Sequence, residues 1–401
     1  MKICLIIDDY LPKSIKVGAK MMHELAVQFI KMGHSVTVIT PETGLSNRFE
    51  ITELDDVTVC RFRSGEIKNV SKVKRAINET LLSYNAWRAG EDYFKQNPHD
   101  LIVYYSPSIF WGLLVKQLKK LWQAPSYLIV RDFFPQWVID NGLLVEHSPI
   151  TKYFRFFEWL NYSAADTIAI QSPKNLAWFA KNFSTQKPLE LLYNWAADEP
   201  VAKSSSYYRE KLGLENKVVY FYGGNIGHAQ DMMNIVRLAK AMQEETQAYF
   251  VLVGAGDEVE LVQRSIEKEA LKNMILLPPV LQDEFKIMLS EFNIGLFTLH
   301  PGHTTHNFPG KLLGYMVQNM PILGSVNADN DLQSIMESAG AGLITVNGDD
   351  EGFLGNALKL LRDENLRIQM GRNANKLLNN LFSVQAAANQ IIIAASEKKT
   401  I

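Results

Sequence analysis

The chain has 401 residues, of which 47% are hydrophobic and 21% charged, and its formal net charge is −2 at pH 7. This length and composition predict a globular protein of two domains. The near-neutral charge gives no general attraction to nucleic acid, which is therefore not expected as a partner. The cysteines are Cys4 and Cys60, too few for a disulfide framework, which favours a reducing compartment.

The N-terminal stretch "MKICLIIDDY" predicts a first strand. Its apolar run is interrupted by Asp8 and Asp9 and no small-residue cleavage site follows, so it does not resemble a secretory signal. No uncharged run approaches the roughly 18 residues of a membrane-spanning helix. We therefore expect a cytoplasmic location, where any association with the inner face of the plasma membrane is peripheral.

Strand and helix patterns then alternate along the chain. Strand patterns such as "HSVTVIT", "DLIVYYS" and "SYLIVRD" in the first half, and "KVVYFYG", "AYFVLVG" and "NIGLFTL" in the second, are separated by amphipathic helix patterns. Nearly continuous apolar strands between such helices are typical of parallel sheets covered on both faces. The sequence thus predicts an α/β fold with two Rossmann-like, doubly wound parallel-sheet domains.

The stretch "ADEPVAKSSSYY" interrupts this periodicity and predicts a hinge. We expect domains at 1–195 and 196–380, followed by a C-terminal helix over 381–401 that could pack back on the first domain. Ligands of open α/β sheets bind outside the carboxyl ends of the strands. A cleft between two facing domains is therefore the expected site.

In the first domain, the candidate residues are Gly18, Arg131 and Asp132. Gly18 precedes a helix pattern and either lets a backbone N–H approach a phosphate or sugar, or only permits a turn. Arg131 and Asp132 end a strand in apolar surroundings, where they form either part of a site or a structural ion pair. The sequence does not decide between ligand contact and a turn for Gly18, or between a site and an ion pair for Arg131 and Asp132.

In the second domain, glycines follow two strands. The loop "YGGNIGHAQDM" contains Gly224, Asn225, Ile226 and Gly227 before a helix, and such a loop can wrap an anion with backbone donors. Gly254 belongs to "LVGAGDE", where Val259 occupies the place of the third glycine of a dinucleotide fingerprint. This departure disfavours an oxidoreductase.

The stretch "HNFPGKLLGYM" places Pro309 and Gly310 before a helix pattern that begins with Lys311 and Leu312. Free N–H groups, the positive end of the helix dipole and an ammonium group would converge there, as in a phosphate site. The alternative is a solvated surface lysine near a helix end.

No metal site or cofactor is predicted. His228, His303 and His306 lack the helical spacing of a metal-binding pair. The "DND" stretch from Asp329 to Asp331 precedes a helix pattern, so helix capping explains it better than metal binding.

These pieces together resemble the GT-B glycosyltransferases, specifically the retaining family 4 type of bacterial O-antigen and other surface-polysaccharide clusters. The resemblance covers nearly the whole chain. It is carried by "KMGHSVTVIT", "RDFFPQW", "AADTIAIQSPKNLAWF", "YNWAAD", "YGGNIGHAQDM", "LVGAGDE" and "FPGKLLGYMVQNMPIL".

The resemblance implies metal-independent sugar transfer, with retention, from a UDP-sugar to a polyprenyl-diphosphate-linked or oligosaccharide acceptor. It implies catalytic roles for Arg131, Asp132 and Lys311, with Lys311 facing the donor diphosphate. The implied nucleotide and diphosphate contacts are Gly224, Asn225, Ile226, Gly227, Gly254, Pro309, Gly310, Lys311 and Leu312. The implied contacts to the donor sugar or acceptor are Gly18, His303, His306 and Asn307.

The chain departs from this family at four positions. His306 and Gly314 stand where many members have two glutamates, of which the second holds the ribose. Asn225 and Gln230 stand where arginine and lysine are common. Similar chains with a "GNxG" loop occur among transferases assigned to N-acetyl-L-fucosamine, which is the donor sugar that the resemblance implies.

Two stretches of the first domain mix basic and aromatic residues: "RFRSGEIKNVSKVKRAINETLL" and "ITKYFRFFEWLNY". Such stretches can dock on an anionic membrane surface, although helical aromatic stripes are also typical of a buried core. For function, the alternatives are a GT-B sugar-nucleotide epimerase or phosphorylase-like enzyme, and a non-catalytic two-domain sugar-binding protein.

Overall fold

A computed structural model describes residues 1–14, 16–67, 70–140, 142–183, 185–202, 206–302 and 309–399. The chain forms two compact units. The first contains Met1–Tyr193 and the C-terminal segment from Val384, and the second contains Asn194–Ser383. In the described ranges, none of the helices combines the length and apolar character needed to cross a membrane.

The first unit is built on one sheet. Its strands are β1 (Lys2–Ile6), β2 (Ser35–Glu42), β3 (Phe49–Leu54), β4 (Val57–Arg63), β5 (Leu101–Ser106), β6 (Ser126–Val130), β7 (Thr167–Ile170) and β8 (Leu189–Leu191). They lie in the order β3-β4-β2-β1-β5-β6-β7-β8 and pair in parallel, except that β3 runs antiparallel to β4. The carboxyl ends of β1, β5 and β6 are thus neighbours.

Amphipathic helices cover this sheet. They are α1 (Val17–Lys31), α2 (Lys72–Thr80), α3 (Leu82–Gln96), α4 (Gly112–Trp122), α5 (Gln136–Asp140), α6 (Pro149–Ala164) and α7 (Pro173–Asn182). Their apolar faces join the strands in a core that includes Ile6, Phe94, Trp111 and Leu128, each fully buried.

The antiparallel hairpin β3–β4 was not predicted from the sequence. β3 is an edge strand whose side chains are largely exposed, so it lacks the apolar run of a buried strand. Its turn is formed by Asp55 and Asp56, both with positive φ (49° and 62°), a conformation that aspartate tolerates in tight hairpins. The two consecutive aspartates of this turn are the feature of the sequence from which the hairpin could have been predicted.

The second unit has a fully parallel sheet. Its strands are β9 (Val218–Asn225), β10 (Ala248–Ala255), β11 (Met274–Leu277), β12 (Ile294–Thr298), β13 (Ile322–Val326) and β14 (Gly342–Val346). They lie in the order β11-β10-β9-β12-β13-β14. The order reverses at β9, between β10 and β12, which makes the carboxyl end of β9 the topological switch point where ligands of such sheets bind.

The helices of this unit are α8 (Tyr207–Leu212), α9 (Met232–Ala241), α10 (Val259–Lys268), α11 (Gln282–Glu291), α12 (Gly310–Val317), α13 (Asp331–Ser338), α14 (Asp350–Arg362) and α15 (Glu364–Leu377). A 3₁₀ turn, His228–Gln230, precedes α9, and a π-helical turn, Leu378–Phe382, follows α15. These elements enclose a separate apolar core around Tyr220, Phe250 and Leu296.

The last helix, α16 (Val384–Lys399), belongs to the first unit. It contacts α1. The side chain of Gln390 donates hydrogen bonds to a carboxylate oxygen of Glu190 and to the carbonyl oxygen of Leu191, each at 3.0 Å. The predicted fold class, two Rossmann-like parallel-sheet α/β domains, is confirmed.

Two helical glycines give a matched test of this packing. A Cβ at Gly112 would lie 2.6 Å from the carbonyl oxygen of Leu160, whereas a Cβ at Gly355 would meet open space. We expect Gly112→Ala to destabilise the first unit by about 1–3 kcal/mol because α4 must move away from α6. Gly355→Ala should stabilise the second unit by about 0.5–1 kcal/mol.

Urea denaturation followed by far-ultraviolet circular dichroism measures both effects. The α4–α6 contact would be described wrongly if Gly112→Ala left the unfolding midpoint unchanged or raised it.

Candidate functional site

The carboxyl end of β9 brings two glycines into backbone contact. Gly224 has φ of +122°, a conformation that favours glycine. Gly254 pairs with it on β10, and a Cβ at Gly254 would lie 1.8 Å from the carbonyl oxygen of Gly224. Gly254 is buried in this contact, whereas Gly224 is exposed and carries no side chain, so a ligand can approach the backbone of Gly224.

The loop after β9 is held by internal hydrogen bonds. The amide of Ile226 donates to the carbonyl oxygen of Ala255 at 2.9 Å, and its side chain is buried. The Ile226 N–H is therefore engaged in the protein and is not a free donor, unlike what the loop sequence led us to expect. The side-chain amide of Asn225 donates a hydrogen bond to the side-chain oxygen of Gln230 at 2.6 Å. These are the two positions at which the resembled family commonly has arginine and lysine.

Helix α12 begins as the sequence predicts, with Pro309 at its N-cap. Tyr315 fixes the helix to the sheet: its buried hydroxyl accepts from the amide of Gly223 at 3.2 Å and lies 3.1 Å from the carbonyl oxygen of Leu296. Leu312 is fully buried. Its predicted contact with the nucleotide is therefore limited to its backbone, whereas Gly310 is exposed at the helix start.

Lys311 extends from this helix toward β9. Its Nζ donates to the hydroxyl of Tyr222 at 2.5 Å and lies 3.8 Å from the centroid of the same ring. A Cβ at Gly224 would be 3.7 Å from Nζ, so the ammonium reaches the exposed glycine backbone. The hydroxyl of Tyr222 donates a hydrogen bond to the carbonyl oxygen of Asn225 at 2.5 Å, and the same hydroxyl oxygen accepts from Lys311.

The charge of Lys311 is not matched by the protein. In the ranges that the structure describes, its polar contact is Tyr222 and no carboxylate pairs with it. Burial lowers the pKa of Lys311 to about 7. A desolvated amine without a counter-ion, beside an open glycine backbone, is suited to receive an anionic ligand. Tyr222 was missed from the sequence, because it reads as one more apolar position of β9.

A cavity of about 640 Å³ adjoins Gly254. One wall of the cavity consists of apolar side chains from the end of β11 and the residues that follow it. The other wall consists of exposed polar side chains at the start of α10. The lining residues are Gly254, Ala255, Gly256, Asp257, Val259, Glu260, Gln263, Leu276, Leu277, Pro278 and Pro279. This mixed lining suits a ligand that carries both apolar and polar groups.

In the first unit, Gly18 and Arg131 come together through Tyr105. The guanidinium of Arg131 donates to the buried hydroxyl of Tyr105 at 2.9 Å. A Cβ at Gly18 would lie 3.1 Å from the Tyr105 ring and 3.6 Å from Nη1 of Arg131. Glycine at the start of α1 thus leaves room for the Tyr105 ring that holds Arg131, an effect that its sequence context did not reveal.

Asp132 follows Arg131 but does not form an ion pair with it. The structure therefore disfavours the alternative of a structural ion pair. The carboxyl of Asp132 has no hydrogen-bond partner in the described parts of the chain. Burial raises its pKa, opposed by the charge of Arg131. A partly buried carboxylate of this kind can accept a hydrogen bond from a ligand hydroxyl.

Of the remaining predicted residues, His303, His306 and Asn307 lie outside the described residues. His228 is an exposed loop histidine whose Nδ1 lies 3.5 Å from Glu258. In the "DND" stretch, Asn330 caps α13 by accepting from the amide of Leu332 at 3.0 Å, so the capping prediction is confirmed. The described ranges hold no group of three His, Cys, Asp or Glu side chains that could bind a metal ion.

The chain is similar to known glycosyltransferases. Residues 205–377 match the family model "Glycosyl transferases group 1". The chain is 23% identical over 218 residues to WbjE of Pseudomonas aeruginosa, which is named a probable glycosyltransferase, and the alignment covers 54% of each chain. It is 22% identical over 354 residues to WcaI of Escherichia coli K12, which is named a colanic acid biosynthesis glycosyl transferase, covering 84% of this chain and 86% of WcaI.

Among solved structures, HepE of Anabaena in complex with UDP superimposes with a TM-score of 0.70 at 13% identity, covering 99% of this chain and 100% of HepE. This likeness shows the fold. The first of the two curated relatives is matched over about half of its length. The chain thus has two Rossmann-like α/β domains, as its GT-B structural neighbours do, and its residues 205–377 match the group 1 glycosyl transferase model.

Proposed function

We propose that this chain is a retaining, metal-independent glycosyltransferase of O-antigen or other surface-polysaccharide biosynthesis. It moves a sugar from a UDP-sugar to a polyprenyl-diphosphate-linked or oligosaccharide acceptor. The observation that carries the proposal is the desolvated amine of Lys311, which has no carboxylate partner among the described residues. It lies beside the exposed backbone of Gly224, at the switch point of the region that matches the group 1 model.

The chemistry of transfer explains why that amine matters. As the bond from the anomeric carbon to the diphosphate breaks, negative charge collects on the leaving oxygens. A positioned ammonium and the N-terminus of α12 stabilise this charge more than they stabilise the bound donor, which lowers the barrier. The acceptor oxygen then bonds to the same carbon on the face that the diphosphate leaves, and the acceptor proton passes to a diphosphate oxygen.

We propose a position for the nucleotide that agrees with the role of Lys311 at the leaving group. We place the phosphates at Gly224, Gly227 and Lys311, and the base in the cavity beside Gly254. Gly314 brings no carboxylate to α12, so another group, of which the cavity offers Asp257 and Glu260, must satisfy the ribose hydroxyls. The relative HepE was solved with UDP, which supports a uridine nucleotide here.

The first unit is proposed to bind the acceptor. Arg131, fixed by Tyr105, offers a cation to an anionic acceptor or donor group, and Asp132 offers an acceptor for a sugar hydroxyl. We propose N-acetyl-L-fucosamine as the donor sugar, supported by the "GNIG" sequence of residues 224–227. The name of WcaI, which refers to colanic acid, supports a role in polysaccharide assembly.

Replacement of the lysine tests the proposal. Lys311→Met should lower kcat/KM about a hundredfold or more because it removes a donor aimed at the leaving group. Lys272→Met, which removes an exposed lysine of the same unit, should leave activity unchanged. Release of UDP from UDP-sugars, measured with and without a polyprenyl-diphosphate-linked acceptor, provides the assay, preceded by a binding screen of UDP, GDP and ADP.

Equal activity of the Lys311→Met and wild-type proteins would refute the assignment of Lys311 to the leaving group. Release of UDP and free sugar at full rate without any acceptor would instead indicate a sugar-nucleotide epimerase. Tight sugar binding without turnover would indicate the non-catalytic alternative.

The pKa of Lys311 makes UDP binding depend on pH. In the free protein its amine loses its proton as the pH rises through about 7. A bound diphosphate favours the ammonium form, so binding raises this pKa and takes up a proton on the alkaline side of that value. We therefore expect UDP affinity to fall between about pH 7 and pH 9, in proportion to the free amine.

Calorimetry at about pH 8, in two buffers of different ionisation enthalpy, measures proton uptake directly. The wild type should take up as much as about one proton, and Lys311→Met close to none. The same uptake in both proteins would mean that another group titrates.

Chelation tests the absence of a metal requirement. Because the diphosphate charge is assigned to Lys311 and backbone amides, EDTA should leave transfer activity within about twofold of the untreated enzyme. Loss of activity that Mg²⁺ or Mn²⁺ restores would show that a divalent ion shares the leaving group.

A further inference from the structure

The first unit carries two neighbouring stripes of exposed apolar side chains, which together we call the apolar face. One stripe runs along α2 into α3 and the other along α6. Each member is at least 40% exposed: Val73, Ile77, Leu81 and Tyr84 on the first stripe, and Ile150, Tyr153, Phe156 and Trp159 on the second. The hydroxyls of Thr80 and Tyr153 are hydrogen-bonded, so the two stripes meet.

Helix α6 is apolar on both of its sides. Phe154 is buried, and Phe157 packs on Phe110 with ring centroids 5.0 Å apart. The opposite side exposes Phe156 at 53% and Trp159 at 60%, where a surface helix of a soluble protein is normally polar. The buried side fixes the helix rigidly, and the outer side is left with aromatic rings that have no cover in the described structure.

Cations are interleaved with these rings. The ammonium of Lys116 lies 5.4 Å above the Trp159 ring, and the guanidinium of Arg88 lies 5.8 Å from the centre of Tyr84. Lys152 is exposed on α6 itself. The acid of that helix, Glu158, is buried and paired with Arg155 at 2.8 Å, so it does not offset these charges at the surface.

We propose that the apolar face docks on an anionic lipid bilayer, with Phe156 and Trp159 in the headgroup region and Lys116 and Lys152 at the lipid phosphates. Aromatic rings beside long basic side chains are the composition of an interfacial membrane surface. The interior of a protein–protein interface, by contrast, is depleted in lysine. The charge of the face therefore selects a bilayer over a second copy of the chain.

Vesicle flotation of the full-length protein tests this proposal without any sugar substrate, so its outcome is independent of the proposed function. We expect binding to vesicles of equal parts phosphatidylcholine and phosphatidylglycerol, little binding to phosphatidylcholine alone, and release as salt rises. The double variant Phe156→Ser, Trp159→Ser should lower partitioning at least about tenfold. The double variant Lys116→Glu, Lys152→Glu should lose the preference for anionic lipid.

Ile368→Ser, which removes an exposed apolar residue (46% exposed) from α15 of the second unit, is the matched control and should bind like the wild type. Circular dichroism verifies that each variant is folded. Equal binding to neutral and anionic vesicles, or wild-type binding by the Phe156→Ser, Trp159→Ser variant, would overturn the proposal. So would a wild-type dimer that this variant dissociates and that does not bind vesicles.

Discussion

The contact between the amine of Lys311 and the side chain of Tyr222 is the interaction around which the candidate site is arranged. It requires β9 to place the tyrosine ring under the helix start, and it requires Tyr315 to hold α12 against that strand. It also requires Gly224, because the backbone there has a φ of +122°, which residues with a side chain rarely adopt. The strand, the helix and the glycine loop thus position one amine, which has no carboxylate partner in the part of the chain that the structure describes. The desolvation that lowers the pKa of this lysine is the reason that an incoming anion would gain so much from it.

The parts of this site that could be predicted were those with a local chemical signature. Lys311 behind Pro309 and Gly310 indicates the start of a helix, and the glycines at the ends of β9 and β10 indicate a backbone without side-chain cover, so the sequence predicts both features. Tyr222 and Tyr105 could not be found in this way. Each is a strand residue in an apolar run, and its role arises from the neighbour that the sheet brings to it, Lys311 in one unit and Arg131 in the other.

The alternation of apolar strands and amphipathic helices was sufficient to predict two parallel sheets, because buried parallel strands are apolar on both faces. This pattern did not predict the hairpin β3–β4, because β3 is an exposed edge strand in which apolar and polar side chains are mixed. The aromatic stretch of α6 shows a similar limit. The sequence alone did not decide whether these rings belong to the core or to the surface. In the structure, Phe154 is buried in the core and Phe156 is exposed at the surface.

The return of α16 to the first unit has a consequence for how this protein is made. The second unit is one continuous segment of chain, whereas the first is closed by residues that follow it. During synthesis, β8 therefore emerges from the ribosome long before α16, which supplies Gln390 as a partner for Glu190. The second unit can fold as soon as its own segment has emerged. The first unit must wait, with one surface incomplete, until α16 has emerged, so a chain terminated before α16 would lack part of the first unit even though the second is intact.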